Sequence, residues 1–225
     1  MCFVSEMGVT IRPEYADEFK ESYEKVMEVA ASQPGFISLK ALNVLNDQAS
    51  IRYDNYAKFS TLEEMDQWAR EGYHKQLQEE GKMKYFSSFY IRRGKALHHG
   101  EQAEGKVLLE TSIVPHSITN ESDHALEQKL LAELERESAQ HPNMLPYETG
   151  NETLDQPFLL TKVSYSAPQK EQSQYVVLTY WPHTAACAEW EHSQLHKKLQ
   201  DTATVTHNRF LILEKKDIPR GCPVH

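Results

Sequence analysis

The sequence has little of what marks a disulfide-stabilised or membrane-spanning protein. Its three cysteines, Cys2, Cys187 and Cys222, are odd in number and far apart among 225 residues, which favours a reducing compartment over a disulfide framework. No stretch approaches the roughly 18 apolar residues of a membrane span. The first residues have neither the basic start nor the apolar core of a signal peptide. We therefore expect a cytoplasmic protein with no membrane partner.

The sequence also lacks net positive charge. The formal net charge is −9, which argues against nucleic acid as a partner, because phosphate binding needs a basic surface. The sequence lacks a Gly-x-Gly-x-x-Gly motif after a strand, a phosphate-binding loop and a Gly-x-Ser-x-Gly elbow. The composition is otherwise that of an ordinary globular protein, with 40% hydrophobic residues, so the chain should bury a core.

What the sequence does have is an internal repeat. Residues 67–78 read QWAREGYHKQLQ, and residues 189–200 read EWEHSQLHKKLQ. Each stretch puts Trp six residues before His, followed by Lys and then by Leu-Gln. Trp68 and Trp190 are 122 positions apart. A repeat of this length predicts two similar structural units in one chain.

Each copy has the same predicted order of elements. In the first, CFVSEMGVTI alternates, with Met7 and Val9 on one side and Glu6 on the other, as in a half-buried strand. A helix, two strands, a helix opened by the capping box Ser60-Thr-Leu-Glu63, and the strand FSSFYIRRG follow. The second copy repeats this order, with one continuous helix expected over residues 184–200. It is longer around TGNETLDQP, where an insertion indicates a surface loop.

That order is β-α-β-β-α-β, the ferredoxin-like unit. We predict an α+β fold of two tandem units whose sheets pack face to face, so that one chain forms an intramolecular dimeric α+β barrel. The first unit is predicted to span residues 1–94, with a polar, glycine-containing linker at 95–105. The second unit spans 106–217, and a C-terminal tail covers 218–225. The His98-His99 pair in the linker is interpreted as linker rather than as a metal site.

The run PGF, then YDNYAKFSTLEEMDQW and a His six residues later, resembles the dimeric α+β barrel superfamily, of the antibiotic biosynthesis monooxygenase type. The resemblance implies a ligand cavity between the sheet and the helices of each unit. It also implies oxygenation of aromatic substrates or quinols without metal or flavin, or heme degradation, although some relatives have no known catalysis. Members are usually single units that dimerise, so this chain is expected to be a pseudo-dimer, with a further homodimer left open.

Heme-degrading members use an Asn, a Trp and a His. The resemblance places the Trp at Trp68 and Trp190, but the Asn falls on Met7 and the His falls near Gln78. His74 or His196 would therefore have to supply the ligand from about one helical turn earlier. Heme is thus the alternative to a protein with no cofactor.

On a regular helix Trp68 and His74 lie roughly 120° apart, so they need not touch one ligand. Because the pair occurs in both copies, we interpret it first as scaffold and second as a site. On the third strand, Asn55 is a polar group in an otherwise apolar row that also holds Tyr53, whereas the second copy has Val177. A buried amide needs partners, so we expect the more polar pocket in the first copy. Aromatic surface and hydroxyls are expected there from five tyrosines, Tyr53, Tyr56, Tyr73, Tyr85 and Tyr90.

The second copy alone has His192, where the first has Arg70. His192 and His196 are four residues apart and could bind a metal on one helix face, which is kept as a minor hypothesis; no dedicated metal is predicted.

The leading functional prediction is a monooxygenase-like enzyme acting on a small aromatic or quinone-like ligand. The predicted catalytic residues are His74, Trp68 and Asn55, and the predicted substrate-binding residues are Tyr53, Tyr73, Trp190 and His196. The alternatives are a heme-binding or heme-degrading monooxygenase and a non-catalytic ligand-binding or stress-response barrel.

Overall fold

The computed structural model describes residues 2–46, 51–98, 100–116, 123–149, 152–167 and 175–218. His99, Cys222 and residues 219–225 of the predicted tail lie outside the described residues. We refer to residues 2–98 as the first half and to residues 100–218 as the second half. None of the helices in these ranges is long and apolar enough to cross a membrane.

Each half alternates strands with helices. The first half contains β1 (Phe3–Ile11), α1 (Ala16–Ala31), β2 (Phe36–Val44), β3 (Ile51–Phe59), α2 (Leu62–Ala69), α3 (Gly72–Glu80) and β4 (Phe86–Ala96). The second half contains β5 (Glu104–Pro115), α4 (Asp123–Ser138), the short hairpin β6 (Glu148–Thr149) and β7 (Glu152–Thr153), β8 (Phe158–Ala167), β9 (Tyr175–His183), α5 (Thr184–Glu191), α6 (Gln194–Gln200) and β10 (Ala203–Ile218).

Eight strands form one closed barrel in the order β1-β3-β2-β8-β9-β5-β10-β4. Neighbouring strands are antiparallel, including the two seams where the halves meet, β2 with β8 and β4 with β10. The prediction of a mixed α+β barrel is confirmed. We expected two sheets packed face to face, and their inner faces contact each other, for example where Tyr56 of β3 meets Phe210 of β10. The edges of the two sheets are also hydrogen-bonded to each other, which leaves no unpaired edge in the barrel.

The helices cover the outside of this barrel. In the first half, one face of each strand packs on α1, α2 and α3 through residues such as Val9, Phe19, Phe59 and Met65. A separate core in the second half contains Leu109, Trp181, Trp190 and Leu195. Each core buries the apolar stripes of helices against alternate strand residues, as the two periodicities predict.

The opposite strand faces point into the barrel, and they are rich in buried polar groups. Glu6, Asp54 and Glu110 have no solvent exposure, and Arg92 is 1% exposed. We expected Glu6 on the polar side of a half-buried strand. It does lie opposite Met7 and Val9, but that side of the strand is buried inside the barrel. Alternation distinguishes the two faces of a strand, but it does not tell whether water or a second sheet covers the polar one.

Glu6 on β1 and Glu110 on β5 hold equivalent places in the two halves, with different partners. Glu6 accepts hydrogen bonds from three tyrosine hydroxyls: Tyr180 at 2.6 Å, Tyr90 at 3.2 Å, and Tyr147. Glu110 instead pairs with Lys58 at 3.0 Å and Lys40 at 3.3 Å and accepts from Asn208 at 3.1 Å. Burial alone would raise the pKa of Glu110, but the two lysines outweigh it and lower that pKa.

The surface loop predicted at TGNETLDQP, residues 149–157, is preceded by a buried segment. Tyr147 is fully buried, and its hydroxyl donates to Glu6 inside the barrel. Arg92 donates to the backbone oxygen of Glu148. The segment just before the predicted loop therefore covers part of the barrel interior and adds hydrogen-bonding groups to it.

The second helix of each half is broken, where a continuous helix was expected. α2 begins after Thr61, whose hydroxyl accepts from the backbone N–H of Glu64 at 3.1 Å, so the capping pair lies one residue later than Ser60-Glu63. α2 ends at Ala69, and α3 begins after Glu71, whose carboxylate accepts from the His74 N–H at 2.8 Å. A second N-cap within the motif therefore starts a separate helix.

Candidate functional site

A cavity of about 260 Å³ lies between the sheet and the helices of the first half. Its walls come from all four strands of the first half on one side and from α1, α2 and α3 on the other. The three predicted catalytic residues, Asn55, Trp68 and His74, all line it. The structure therefore brings together the residues that were proposed from three separate sequence positions.

The rings of Trp68 and His74 stack on each other. Their centroids are 3.9 Å apart and their planes differ by 8°. The regular-helix expectation of a roughly 120° separation was wrong, because the chain breaks between α2 and α3 and folds the His74 ring back over the indole. The two rings form one parallel stack beside the cavity, to which an aromatic ligand could add a further ring.

The hydrogen bonds of His74 define its tautomer. Nδ1 lies 2.9 Å from the Trp68 carbonyl oxygen, and since a carbonyl only accepts, Nδ1 carries the proton. Nε2 then accepts from the side-chain amide of Gln78 at 3.0 Å. Burial lowers the pKa of His74, against an opposing effect of the Trp68 carbonyl and Glu71. The ring is therefore a neutral imidazole at pH 7, with its basic nitrogen held by Gln78.

Two lining residues carry buried polar atoms without a partner in the described part of the chain. These are Oδ1 of Asn55 on β3 and the hydroxyl of Tyr23 on α1. Burial raises the pKa of Tyr23 well above its usual value, with a further contribution from Asp54, so the hydroxyl stays protonated. Buried polar atoms normally have partners. Sequence reasoning missed Tyr23, because its helical spacing is that of an ordinary core position.

The other tyrosines do not line this cavity. Tyr53 packs its ring against Phe19, 5.6 Å between centroids, and Tyr73 lies under the ammonium of Lys25. Tyr56 and Tyr90 face the barrel interior, and the Tyr85 hydroxyl donates to Glu18. The expectation that these five tyrosines shape the pocket was wrong. For Tyr56 and Tyr90 the cause is their strand parity, which places them on the other face of the sheet.

Trp190 and His196 occupy the equivalent place in the second half, and they are packed in its core. Trp190 is fully buried and meets His196 edge-on, with centroids 5.4 Å apart and an interplanar angle of 80°. His196 also contacts His207 at 4.7 Å between centroids. Burial, followed by the nearby His207, lowers the pKa of His196 to about 4. Neither predicted substrate-binding residue borders the first-half cavity.

The His192 and His196 pair does not form a metal-binding helix face. α5 ends at Glu191, so His192 lies in the break before α6, where it is exposed, whereas His196 is buried and its Nδ1 contacts the Ser193 hydroxyl at 2.9 Å. Among the described residues, no cluster of three or more His, Cys, Asp or Glu side chains could hold a metal ion.

Charged residues stand at the more exposed end of the cavity. Arg93 on β4 donates to Asp66 on α2 and to Glu214 on β10, the latter at 3.0 Å. Arg93 and Glu214 both line the cavity, so the second half contributes a side chain to a site in the first half. Sequence reasoning missed both residues, although strand alternation puts Arg93 on the same face as Ile91.

These residues do not fit a heme. The cavity is less than twice the volume of the engineered protein cavity of about 150 Å³ that holds one benzene, which is far too small for a macrocycle of four rings. Met7 stands where heme-degrading members have Asn, and both ring nitrogens of His74 are engaged in hydrogen bonds.

Comparison with known proteins agrees with this architecture. Residues 3–80 match the family model described as antibiotic biosynthesis monooxygenase, and these residues include most of the cavity wall. No curated protein matches the sequence.

Solved structures resemble the chain over nearly its full length. An aldoxime dehydratase in complex with butyraldoxime superposes with a TM-score of 0.60 at 6% identity, covering 96% of this chain and 82% of that one. A candidate monooxygenase from Lactobacillus acidophilus gives a TM-score of 0.40 at 9% identity, covering 97% of each chain. At such low identity the first likeness concerns the fold alone. Residues 3–80, in the first half of this closed barrel, are therefore similar to the antibiotic biosynthesis monooxygenase family.

Proposed function

We propose that the first-half cavity binds a small aromatic or quinone-like molecule, and that the protein is a monooxygenase-like oxidoreductase that needs no dedicated metal or flavin. The observation that carries the proposal is the coincidence of the family match at residues 3–80 with a cavity lined by a stacked Trp68–His74 pair. The stacked rings offer a flat apolar wall, and Asn55 and Tyr23 offer the few polar groups that fix a ligand's orientation.

The size of the cavity limits the substrate class. A cavity of about 150 Å³ accommodates benzene in an engineered protein, so 260 Å³ suits one or two fused rings. Quinols of that size carry hydroxyls that can donate to the Asn55 oxygen and accept from the Tyr23 hydroxyl after small side-chain rotations.

His74 is the proposed general base. With its pKa lowered by burial it stays neutral, and rotation of Gln78 would free Nε2 to take the proton of a phenolic hydroxyl. The phenolate then transfers electrons to dioxygen, the second substrate. One oxygen atom enters the ring in place of hydrogen and the other leaves as water, so that a quinol and O₂ give a hydroxyquinone and H₂O. Trp68 orients the ring by stacking.

We also propose that the chain is a fused pair of units, which acts as a pseudo-dimer. Within the closed barrel the strand order is β4-β1-β3-β2 in one half and β10-β5-β9-β8 in the other, the same order in corresponding strands. Tyr180 of β9 donates to Glu6 of β1, and Lys58 of β3 donates to Glu110 of β5. In each half, a side chain of the third strand thus donates to a glutamate on the first strand of the other half, as a two-fold relation requires.

Oxygen consumption with a panel of one- and two-ring quinols tests the proposal. Incorporation of one atom from labelled O₂ into the product is the expected result. His74→Gln should lower the rate by about 10²-fold or more, because general-base catalysis contributes that much. His196→Gln in the second half is the matched control and should leave the rate within about twofold. An unchanged rate in His74→Gln would show that this imidazole is not the base.

A non-catalytic ligand-binding barrel is the second candidate. Both ring nitrogens of His74 are already hydrogen-bonded, which favours a structural imidazole. Tight binding of a quinol without oxygen consumption above the buffer rate would decide for this candidate.

A further inference from the structure

The entrance of the first-half cavity is built by both halves of the chain. Arg93 is 23% exposed at its side chain, between Asp66 at 41% and Glu214 at 55%, whereas the deeper walls are formed by buried residues such as Phe19 and Leu39. The charged residues therefore mark the side from which a ligand enters.

A β-bulge places Glu214 at this entrance. In the pairing of β10 with β4, Ile212 lies opposite Gly94, and the next paired residue opposite Arg93 is Glu214 rather than Leu213. Leu213 is the extra residue, and it is 51% exposed. Without the bulge an apolar side chain would face Arg93, so the bulge re-aims a carboxylate onto the guanidinium.

The three side chains carry a net negative charge. Two carboxylates face one guanidinium, and Arg93 donates to both of them. A ligand carboxylate near this entrance would meet the excess negative charge, and to bind Arg93 it would have to displace Asp66 or Glu214. A neutral or cationic ligand meets neither obstacle.

We propose that the Asp66–Arg93–Glu214 group selects neutral and cationic aromatic ligands over anionic ones, with Glu214 from the second half as a specificity-determining residue. The inference rests on the proposed function only in that the cavity must admit an aromatic ligand; it does not require turnover. It assigns the second half a role in ligand selection although that half supplies no other side chain to the cavity among the described lining residues.

Three probes with one ring system and different charge test the proposal: 2-naphthalenemethanol, 2-naphthylmethylammonium and 2-naphthoate. Calorimetric titration of the full chain at pH 7 should show that 2-naphthoate binds at least about fivefold more weakly than the neutral alcohol. Glu214→Gln should lower the ratio of the 2-naphthoate Kd to the 2-naphthalenemethanol Kd by roughly threefold to fivefold, which is the effect expected of one partly exposed charge. Glu101→Gln, which removes a carboxylate paired with Lys95 away from the cavity, is the matched control and should leave the ratio unchanged.

Glu214→Lys extends the test, because it should reverse the preference toward 2-naphthoate. Thermal unfolding of each variant checks that the fold is retained, and Asp66→Asn replaces any variant that unfolds. Equal or tighter binding of 2-naphthoate by the unaltered protein would overturn the proposal, as would an unchanged ratio in folded Glu214→Gln. If the protein prefers the neutral and cationic probes but consumes no oxygen with quinols, this inference stands and the proposed enzymatic function does not. Failure of all three probes to bind would remove both.

Discussion

Trp68 and His74 border an open cavity, whereas the matching Trp190 and His196 are enclosed by other side chains. In the first half the rings stack in parallel at 3.9 Å; in the second half they meet edge-on at 5.4 Å. The sequence motif around them is nearly the same, so the motif does not decide which half has a cavity. The surrounding residues differ: the first half has Phe59 where the second half has the larger Trp181, and both are fully buried.

The residues next to the repeated Trp and His also differ in polarity and size between the two halves. Asn55 lines the cavity with an unpartnered oxygen, and its counterpart Val177 is an apolar core residue. Ala69 leaves room at the end of α2, where the second half has Glu191 paired with Arg209 at 2.6 Å. The repeated Trp and His therefore form a scaffold in both halves, and neighbouring substitutions make it a site in one.

The largest expected effect comes from removing each tryptophan. Trp190→Ala should lower the free energy of unfolding by about 3–5 kcal/mol, because it empties a fully packed position. Trp68→Ala should cost less, roughly 2 kcal/mol, because one side of that ring already borders the cavity and makes fewer contacts. Urea unfolding of both variants measures the difference. Equal losses would mean that the two sites are equally packed.

Acid should destabilise the second half through His196. Its pKa is lowered to about 4 in the folded protein, below the unfolded value of about 6.5. The unfolded state thus binds more protons between these values, and stability is lost as the pH falls from 6.5 toward 4, by up to about 1.4 kcal/mol per pH unit and on the order of 3 kcal/mol in all.

Urea unfolding of the unaltered protein and of His196→Gln between pH 7 and pH 5 measures this contribution. Carboxylates titrate in both proteins, so the difference between the two pH dependences belongs to His196. The variant should show a flatter pH dependence. His74→Gln should flatten the pH dependence of stability less, because burial lowers the pKa of His74 by less than it lowers the pKa of His196. An identical slope in the His196 variant and the unaltered protein would contradict the assignment.

The smallest effects should come from exchanging Asn55 and Val177, which occupy equivalent positions on the third strand of each half. Val177→Asn puts an amide into a packed apolar core and should cost about 1–3 kcal/mol. Asn55→Val removes a buried oxygen that has no partner among the described residues, so the free energy of unfolding should change by less than about 1 kcal/mol or rise slightly, while affinity for a hydroxyl-bearing ligand falls. If Asn55→Val is the more destabilising change, the amide has a structural partner that the cavity interpretation leaves out.

The sequence predicted the order of strands and helices in each half, and it singled out Asn55, which lines the first-half cavity. Periodicity sufficed for these, since each strand and helix repeats its apolar residues at its own spacing. It did not predict the second N-cap at Glu71, and with a continuous helix the stacking of Trp68 on His74 could not be foreseen. Capping by a Glu side chain within a helical pattern has no strong sequence signal.

The barrel interior and the cavity entrance depend on contacts between distant residues. Glu6 and Tyr180 are far apart in the chain, and alternation marks Glu6 only as polar. Glu214 reaches Arg93 because of a bulge, and one extra residue in a strand leaves no readable mark in a single sequence. These features required the closed barrel to be known first.

The seam between β4 and β10 has a consequence for dilute solutions. A barrel formed by two separate chains dissociates when the protein is diluted below its dimerisation constant. Here the two halves are joined through residues 97–103, between the end of β4 and the start of β5, and a short tether holds its ends at an effective concentration on the order of millimolar. Glu214 thus stays beside Arg93 at any protein concentration, and an entrance built by two halves keeps its chemistry even when a cell contains only a few copies of the chain.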